Sequence, residues 1–136
     1  MKSGIDGLIR NFTDVIEKTD NATKTFMRKE AQKERRRMIS AAKRKVKKLT
    51  GNYLKGFKSG KKVYQWIDAD YTVRVYNDAP HAHLIENGHR LILGGKFIKW
   101  VPGKHVMEDA HQQFESEYAE DVEDDLVDFI CKELEK

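Results

Sequence analysis

The residues best suited to chemistry lie close together: His81, His83, Glu86 and His89 fall within nine positions. On a short helix, His83 and Glu86 would share a face at i, i+3. Zinc would need three or four such ligands converging in tetrahedral geometry. The chain offers no second Cys or His cluster, only His105 and His111 further on. The reading adopted is that His83 and Glu86 orient a short helix through hydrogen bonds, or touch a neighbouring subunit. Nucleophilic chemistry finds less support. Ser3, Ser40, Ser59 and Ser116 lie outside any nucleophile elbow, and Cys131 has no histidine near it in sequence. Cys131 follows Phe129-Ile130 on an amphipathic pattern and reads as a small core residue. Gly94-Gly95-Lys96 lacks the spacing of a phosphate-binding loop. No catalytic residue, cofactor or metal is assigned, and the chain is not expected to be an enzyme.

The elements that must carry these residues are marked by charge. The 136 residues carry a net charge of +4, but it is unevenly spread. Positions 23–62 hold 16 Lys and Arg against Glu30 and Glu34, a balance of +14. Positions 108–136 hold 12 acids against Lys132 and Lys136, a balance of −10. Such segregation describes one basic element and one acidic element around a neutral centre. The length suits one domain with a modest core. The longest apolar runs, such as Leu91–Leu93, are too short to span a membrane. Met1-Lys2-Ser3-Gly4 does not open a secretion signal, and a lone cysteine fits a reducing compartment.

Periodicity supplies the elements. Ile5, Leu8, Phe12, Val15 and Ile16 recur at helical spacing, with Ser3 as a plausible N-cap. Asp20-Asn21-Ala22-Thr23 could break or recap the helix. The pattern resumes at Phe26 and Met27 and continues through Ala31, Met38, Ala42, Val46 and Leu49. Unbroken, residues 5–49 would reach roughly 65 Å, so the helix should be bent, broken or projecting. Gly51 is a natural cap. Tyr53–Phe57 and Val63–Ile67 read as strands joined at Ser59-Gly60, and Asp68-Ala69-Asp70 as a turn. Tyr71–Tyr76 alternates, with Tyr71, Val73 and Val75 on one face. Pro80 opens a short helix over His81–Asn87, stopped by Gly88. Leu91–Leu93 and Phe97–Val101 read as a loop or β-arm with glycines at its tip. After Pro102-Gly103, the series Met107, Ala110, Phe114, Tyr118, Val122, Leu126, Phe129 or Ile130, and Leu134 predicts a long C-terminal helix.

The segment Val75-Tyr76-Asn77-Asp78-Ala79-Pro80-His81-Ala82-His83-Leu84-Ile85-Glu86-Asn87-Gly88-His89-Arg90 resembles the signature of a tailed-phage neck and tail-completion family. That family is typified by the tenth gene product of an HK-type lambdoid phage. Thr50-Gly51-Asn52-Tyr53-Leu54 and Val101-Pro102-Gly103-Lys104-His105 resemble its flanking motifs, so the likeness covers roughly residues 25–134. The motif positions are Ala79, Pro80, His83, Glu86, Gly88, Pro102 and Gly103. His81 and Asn87 stand where the family often has aromatics. The resemblance implies a non-enzymatic virion part, a small α+β subunit that forms or joins a ring at the head–tail junction. Similar genes occur in prophages and phage-tail-like bacteriocins. The location implied is the neck or tail end of a virion assembled in the host bacterial cytoplasm.

The expected fold is α+β: a long N-terminal helix, a small antiparallel sheet of three to four strands, a short helix and a long C-terminal helix. One domain over 1–136 is expected, with a basic helical arm at 1–49. The sheet, short helix and loop would fill 50–101, and the acidic helix 102–136. Three readings of the basic run stand side by side: it meets the acidic helix of the next copy, it binds nucleic acid, or it packs antiparallel on its own acidic helix. Arg28, Arg35, Arg36, Arg37, Lys43, Arg44 and Lys47 are the candidate basic contacts. Glu117, Asp121, Asp124, Asp125 and Asp128 are the candidate acidic ones. Leu91, Ile92, Phe97 and Trp100 are the candidate apolar contacts of the 89–101 loop, which either covers a neighbour or folds back on its own sheet. Expected partners are copies of the chain in a ring and adjoining neck, terminator or tail-tube proteins, with possible transient DNA contact and no membrane. A tail-terminator-like cap and a basic nucleic-acid-binding module are the alternatives.

Overall fold

A single helix, α1, runs unbroken from Lys2 to Lys45, 44 residues or about 66 Å. The computed structural model describes residues 2–46, 51–65 and 71–136. Asp20-Asn21-Ala22-Thr23 does not interrupt the helix. Asp20 pairs with Lys24 at 3.0 Å, an i, i+4 pair with the acid on the N-terminal side, which favours helix. The Thr23 and Thr25 hydroxyls donate to the carbonyls of Thr19 and Asn21, so these residues spend their polarity inside the helix. Ser3 lies within the helix rather than at its cap, because the helix already begins at Lys2.

A five-residue helix, α2 (Gly51–Lys55), follows, where a strand was expected from Tyr53. Tyr53 and Phe57 explain the difference. Both are buried, with ring centroids 5.2 Å apart, and a helical turn puts both rings on the α1 side. Gly51 therefore starts a helix rather than capping one. Strand β1 (Phe57–Ser59) pairs antiparallel with β4 (Val75–Asn77), and β2 (Tyr64–Gln65) with β3 (Tyr71–Thr72). Ser59-Gly60 is thus not a hairpin turn. The Gly60 N–H donates to the Arg74 carbonyl at 2.7 Å, continuing the β1–β4 ladder into one long ribbon. The turn expected at Asp68-Ala69-Asp70, and Lys47 to Thr50, lie outside the described residues. Tyr71, Val73 and Val75 are half-buried while Thr72, Arg74 and Tyr76 are exposed, so the predicted alternation holds even where the ladder lapses at Val73-Arg74.

Helix α3 (Ala82–Asn87) is followed by a second hairpin, β5 (Gly88–Leu93) and β6 (Lys96–Pro102). Gly94 and Gly95, with φ of +57° and +77°, form its tip, as a two-residue turn with left-handed backbone requires. The C-terminal helix is α4 (Val106–Asp121), one π-helical turn (Val122–Leu126) and α5 (Val127–Leu134). Val106, Ala110 and Phe114 are buried, and Tyr118, Val122, Leu126, Phe129, Ile130 and Leu134 are half-buried, as the periodicity predicted. Cys131 is exposed rather than in the core. The inner face of α5 is taken by Phe129, Ile130 and Leu134, and Cys131 turns away from it.

The core is small. Met38, Ala41 and Ala42 of α1 meet Tyr53, Phe57, Ala82, Val106 and Ala110. Alanines at the α1–α4 crossing let the two long helices approach closely. The α+β class, with two long helices, small antiparallel strand pairs and a short helix, matches the expectation.

Candidate functional site

The motif residues build a clamp that aims the β5–β6 hairpin. Asn77 is its first part. Its amide donates to the Tyr53 carbonyl at 3.0 Å and its Oδ1 accepts the Ala79 N–H at 2.8 Å. Gly56 sits against this amide, and a side chain there would collide with Oδ1 and Ala79. The ribbon end is thereby fixed to α2, and Ala79-Pro80 leads into α3.

Glu86 is the second part. Its two carboxylate oxygens accept the N–H groups of Met107 and Glu108, each at 2.9 Å. These are free donors in the first turn of α4, whose N-cap residue His105 provides no side-chain cap. The negative charge also suits the positive end of the helix dipole. The expectation was that His83 and Glu86 orient the short helix through hydrogen bonds; Glu86 instead caps α4, because the free N–H groups of that helix's first turn lie within its reach. His83 is exposed and makes no hydrogen bond with the described residues.

Gly88 and Gly103 are the third part. Gly88 has φ of +90°, and a Cβ there would stand 2.6 Å from the Val101 carbonyl oxygen and 2.8 Å from the Gly103 nitrogen. A Cβ on Gly103 would strike the Glu86 backbone. The Lys104 N–H donates to the Ile85 carbonyl at 2.7 Å and that of His105 to the Glu86 carbonyl at 3.2 Å. Chain segments 85–88 and 101–105 thus touch backbone to backbone, which only glycine permits.

Above this clamp the hairpin stands in solvent. Ile92, Leu93, Phe97, Ile98 and Trp100 are 52–61% exposed, while Leu91 is half-buried. The possibility that the segment folds back onto its own sheet is not what the structure shows. A one-residue bulge between Leu91 and Ile92 leaves Ile98 without a cross-strand partner. Five large apolar side chains are thus exposed together on one hairpin.

The charged residues divide into two groups. Lys33 pairs with Asp121 at 2.7 Å, Arg37 with Glu117 at 3.0 Å, and Lys45 with Asp109. Each advance along α1 is matched by an equal retreat along α4, so the basic and acidic helices pack antiparallel within one chain. His111 pairs with Glu34, which raises the imidazole pKa above its ordinary value. Arg28 and Arg35 donate to the backbone carbonyls of Lys61 and Phe57, at 2.8 and 2.6 Å, and so tie the ribbon to α1. Of the candidate contacts, Arg28, Arg35, Arg37, Glu117 and Asp121 are thus engaged inside the chain. Arg36, Lys43 and Arg44, and Asp124, Asp125 and Asp128, are exposed and form no ion pair with the described residues. Lys47 lies outside the described residues.

Sequence reasoning missed Glu30. It is 5% exposed although it lies in the most polar stretch of α1. Burial and the adjacent Asp121 carboxyl push its pKa up to about 7, and its Oε2 has no partner among the described residues. Lys33 holds Asp121 below the usual carboxylate range. The π-helical turn begins one residue after Asp121. It inserts one residue into the helix. Accordingly Phe129 meets Phe26, ring centroids 6.2 Å apart, one position later than the Lys33–Asp121 register gives. Only the long-range pairing reveals this cluster, since nothing local marks a glutamate in a basic run as buried. Among the described residues the geometry gathers no nucleophile–base pair. Among the described residues no group of three or more His, Cys, Asp or Glu converges as metal ligands. No helix of the described residues is long and apolar enough to cross a membrane.

No curated protein and no solved structure gives a significant match to the chain. One family model does match, described as "Bacteriophage HK97-gp10, putative tail-component", over residues 6–88. The match begins earlier than the resemblance suggested and ends at Gly88, so the Pro102-Gly103 half of the clamp lies beyond it. It covers more than half of the chain, includes α1, the ribbon and α3, and ends on the glycine whose backbone the clamp requires. The chain belongs to the HK97-gp10-like family of phage tail components.

Proposed function

We propose that the chain is a structural virion protein of the head–tail junction, in the neck or tail-completion position. It forms or joins a ring that connects head-side proteins to the tail tube. The observation that carries this reading is the β5–β6 hairpin. A fold that invests a backbone clamp of two glycines and a helix cap in holding an apolar hairpin away from its own core is built to be completed by another protein. The cations and anions left over from the α1–α4 pairing, Arg36, Lys43 and Arg44 and then Asp124, Asp125 and Asp128, are offset along the same helix pair. They suit a head-to-tail neighbour of the same kind.

Imaging of the assembled particle tests the placement. The expected result is density for this chain as a ring between portal-side and tail-tube proteins. Finding it only at the distal tail tip, or absent from purified particles, would overturn the reading. A ring on the head-facing end of the tail tube alone would identify the chain as a terminator-like cap.

The second reading, contact with DNA, rests on the exposed Arg36, Lys43 and Arg44. It predicts duplex binding by the isolated chain that weakens steeply with salt. Triple substitution of these residues by Gln would abolish such binding. A chain that binds no duplex even at low salt excludes it.

A further inference from the structure

The fold exposes two apolar faces and keeps them apart. The first is the N-terminal arm of α1, where Ile5, Leu8, Ile9, Phe12, Val15 and Ile16 form one stripe at helical spacing and are 46–69% exposed. The second is the β5–β6 hairpin. Lys45 marks the hairpin's base, because its Nζ donates to the Lys104 carbonyl at 3.2 Å. From Glu17 to Lys45 the helix is continuous, a rise of about 42 Å. The seven-residue strand β6 extends only about 23 Å. The arm of one chain therefore cannot lie on its own hairpin.

The two faces are complementary in charge as well as in apolarity. Residues 4–18 carry Asp6, Asp14 and Glu17 against Arg10 and Lys18, with Lys18 paired to Asp14 at 3.2 Å, while 88–102 carry Arg90, Lys96 and Lys99 and no acid. Arm on hairpin joins opposite signs, whereas arm on arm joins like signs. We propose that the N-terminal arm of one copy docks on the β5–β6 hairpin of the next copy. This rests on the assembly reading above and names the surface that joins the copies. The contact is heterologous, so it closes into a ring or runs on as an open array, and every copy is both donor and acceptor.

Cysteine cross-linking of the full chain in a Cys131→Ser background tests this. A Phe12→Cys chain mixed with a Phe97→Cys chain should give a disulfide-linked dimer under mild oxidation, while neither alone should. Phe12→Asp and Trp100→Asp should each weaken self-association by about 30-fold or more, as expected for a central apolar anchor. Both side chains are exposed, so circular dichroism of the free chain should not change. Cross-linking of Phe12→Cys alone would show arm-on-arm pairing and overturn the proposal. So would a chain that stays monomeric at high concentration, which would assign the hairpin to a different protein. The same pair in purified particles separates the two claims. A ring at the neck without the mixed cross-link defeats the docking and leaves the placement standing. A mixed cross-link in solution by a chain absent from the neck does the reverse.

Discussion

The Glu86 carboxylate accepts the Met107 N–H at 2.9 Å, across 21 positions of sequence. A residue at the end of a six-residue helix thereby starts the acidic helix α4, and the hairpin between them is held by both. The cap, the hairpin base and the core at Val106 are one structural unit.

Removing the cap should therefore loosen more than a helix end. Glu86→Ala leaves the Met107 and Glu108 N–H groups without their partner and should destabilise the fold by about 1–3 kcal/mol. Glu86→Gln keeps one acceptor oxygen and loses the charge, so it should fall between wild type and Glu86→Ala. Urea denaturation followed by circular dichroism measures both. Equal stability of all three would show that the cap contributes nothing.

Gly88→Ala should be costly for two additive reasons. The backbone is left-handed, and the new Cβ would meet the Val101 carbonyl and the Gly103 nitrogen. A loss of more than about 2 kcal/mol is expected. Gly94→Asn is the control. It also has positive φ, but nothing lies within 4 Å of a Cβ there, and Asn tolerates this conformation. It should leave the melting temperature nearly unchanged. A mild effect at Gly88 would mean that the clamp can open.

Much of this was legible in sequence because it is local. Three-four spacing marked both long helices, and glycine and proline marked α3 and the hairpin tip. Family resemblance marked Glu86 and Gly88 without saying what they hold. What stayed hidden depends on partners distant in sequence. Tyr53 is helical because it must reach Phe57 and the α1 alanines. Asp20 does not break α1, partly because the Tyr71 hydroxyl, 51 positions away, donates to it at 2.7 Å. The pairing of the basic helix with its own acidic helix is visible only in contacts such as Lys33–Asp121, 88 positions apart.

The Arg37–Glu117 pair should set register more than stability. Both side chains retain solvent contact, and such pairs are strongly screened. Arg37→Ala and Glu117→Ala should each shift the denaturation midpoint less than Glu86→Ala. The coupling between them in a double-mutant cycle should vanish in 1 M salt, where the screening length falls to about 3 Å. Coupling that survives high salt would show the pair to be effectively buried.

Glu30 should make the fold less stable as pH rises. In the unfolded chain this carboxyl ionises near 4.5, whereas in the native protein it holds its proton to about 7. Between those values the native state binds the extra proton, so stability declines with rising pH and stays reduced above it. The full difference is at most about 3 kcal/mol. His111, raised by Glu34, acts in the same direction, its contribution being present below 6.5 and lost as pH passes its native value. Asp121 acts oppositely and on the acid side, losing its contribution as pH falls below 3.8. Glu30→Gln separates these effects. Its amide has nearly the shape of the protonated acid but cannot ionise. Melting temperatures from pH 5 to 8 should decline less steeply in this variant, and at pH 8 it should be the more stable protein. An unchanged slope would show that Glu30 is ionised in the native state, with Lys33 carrying its charge.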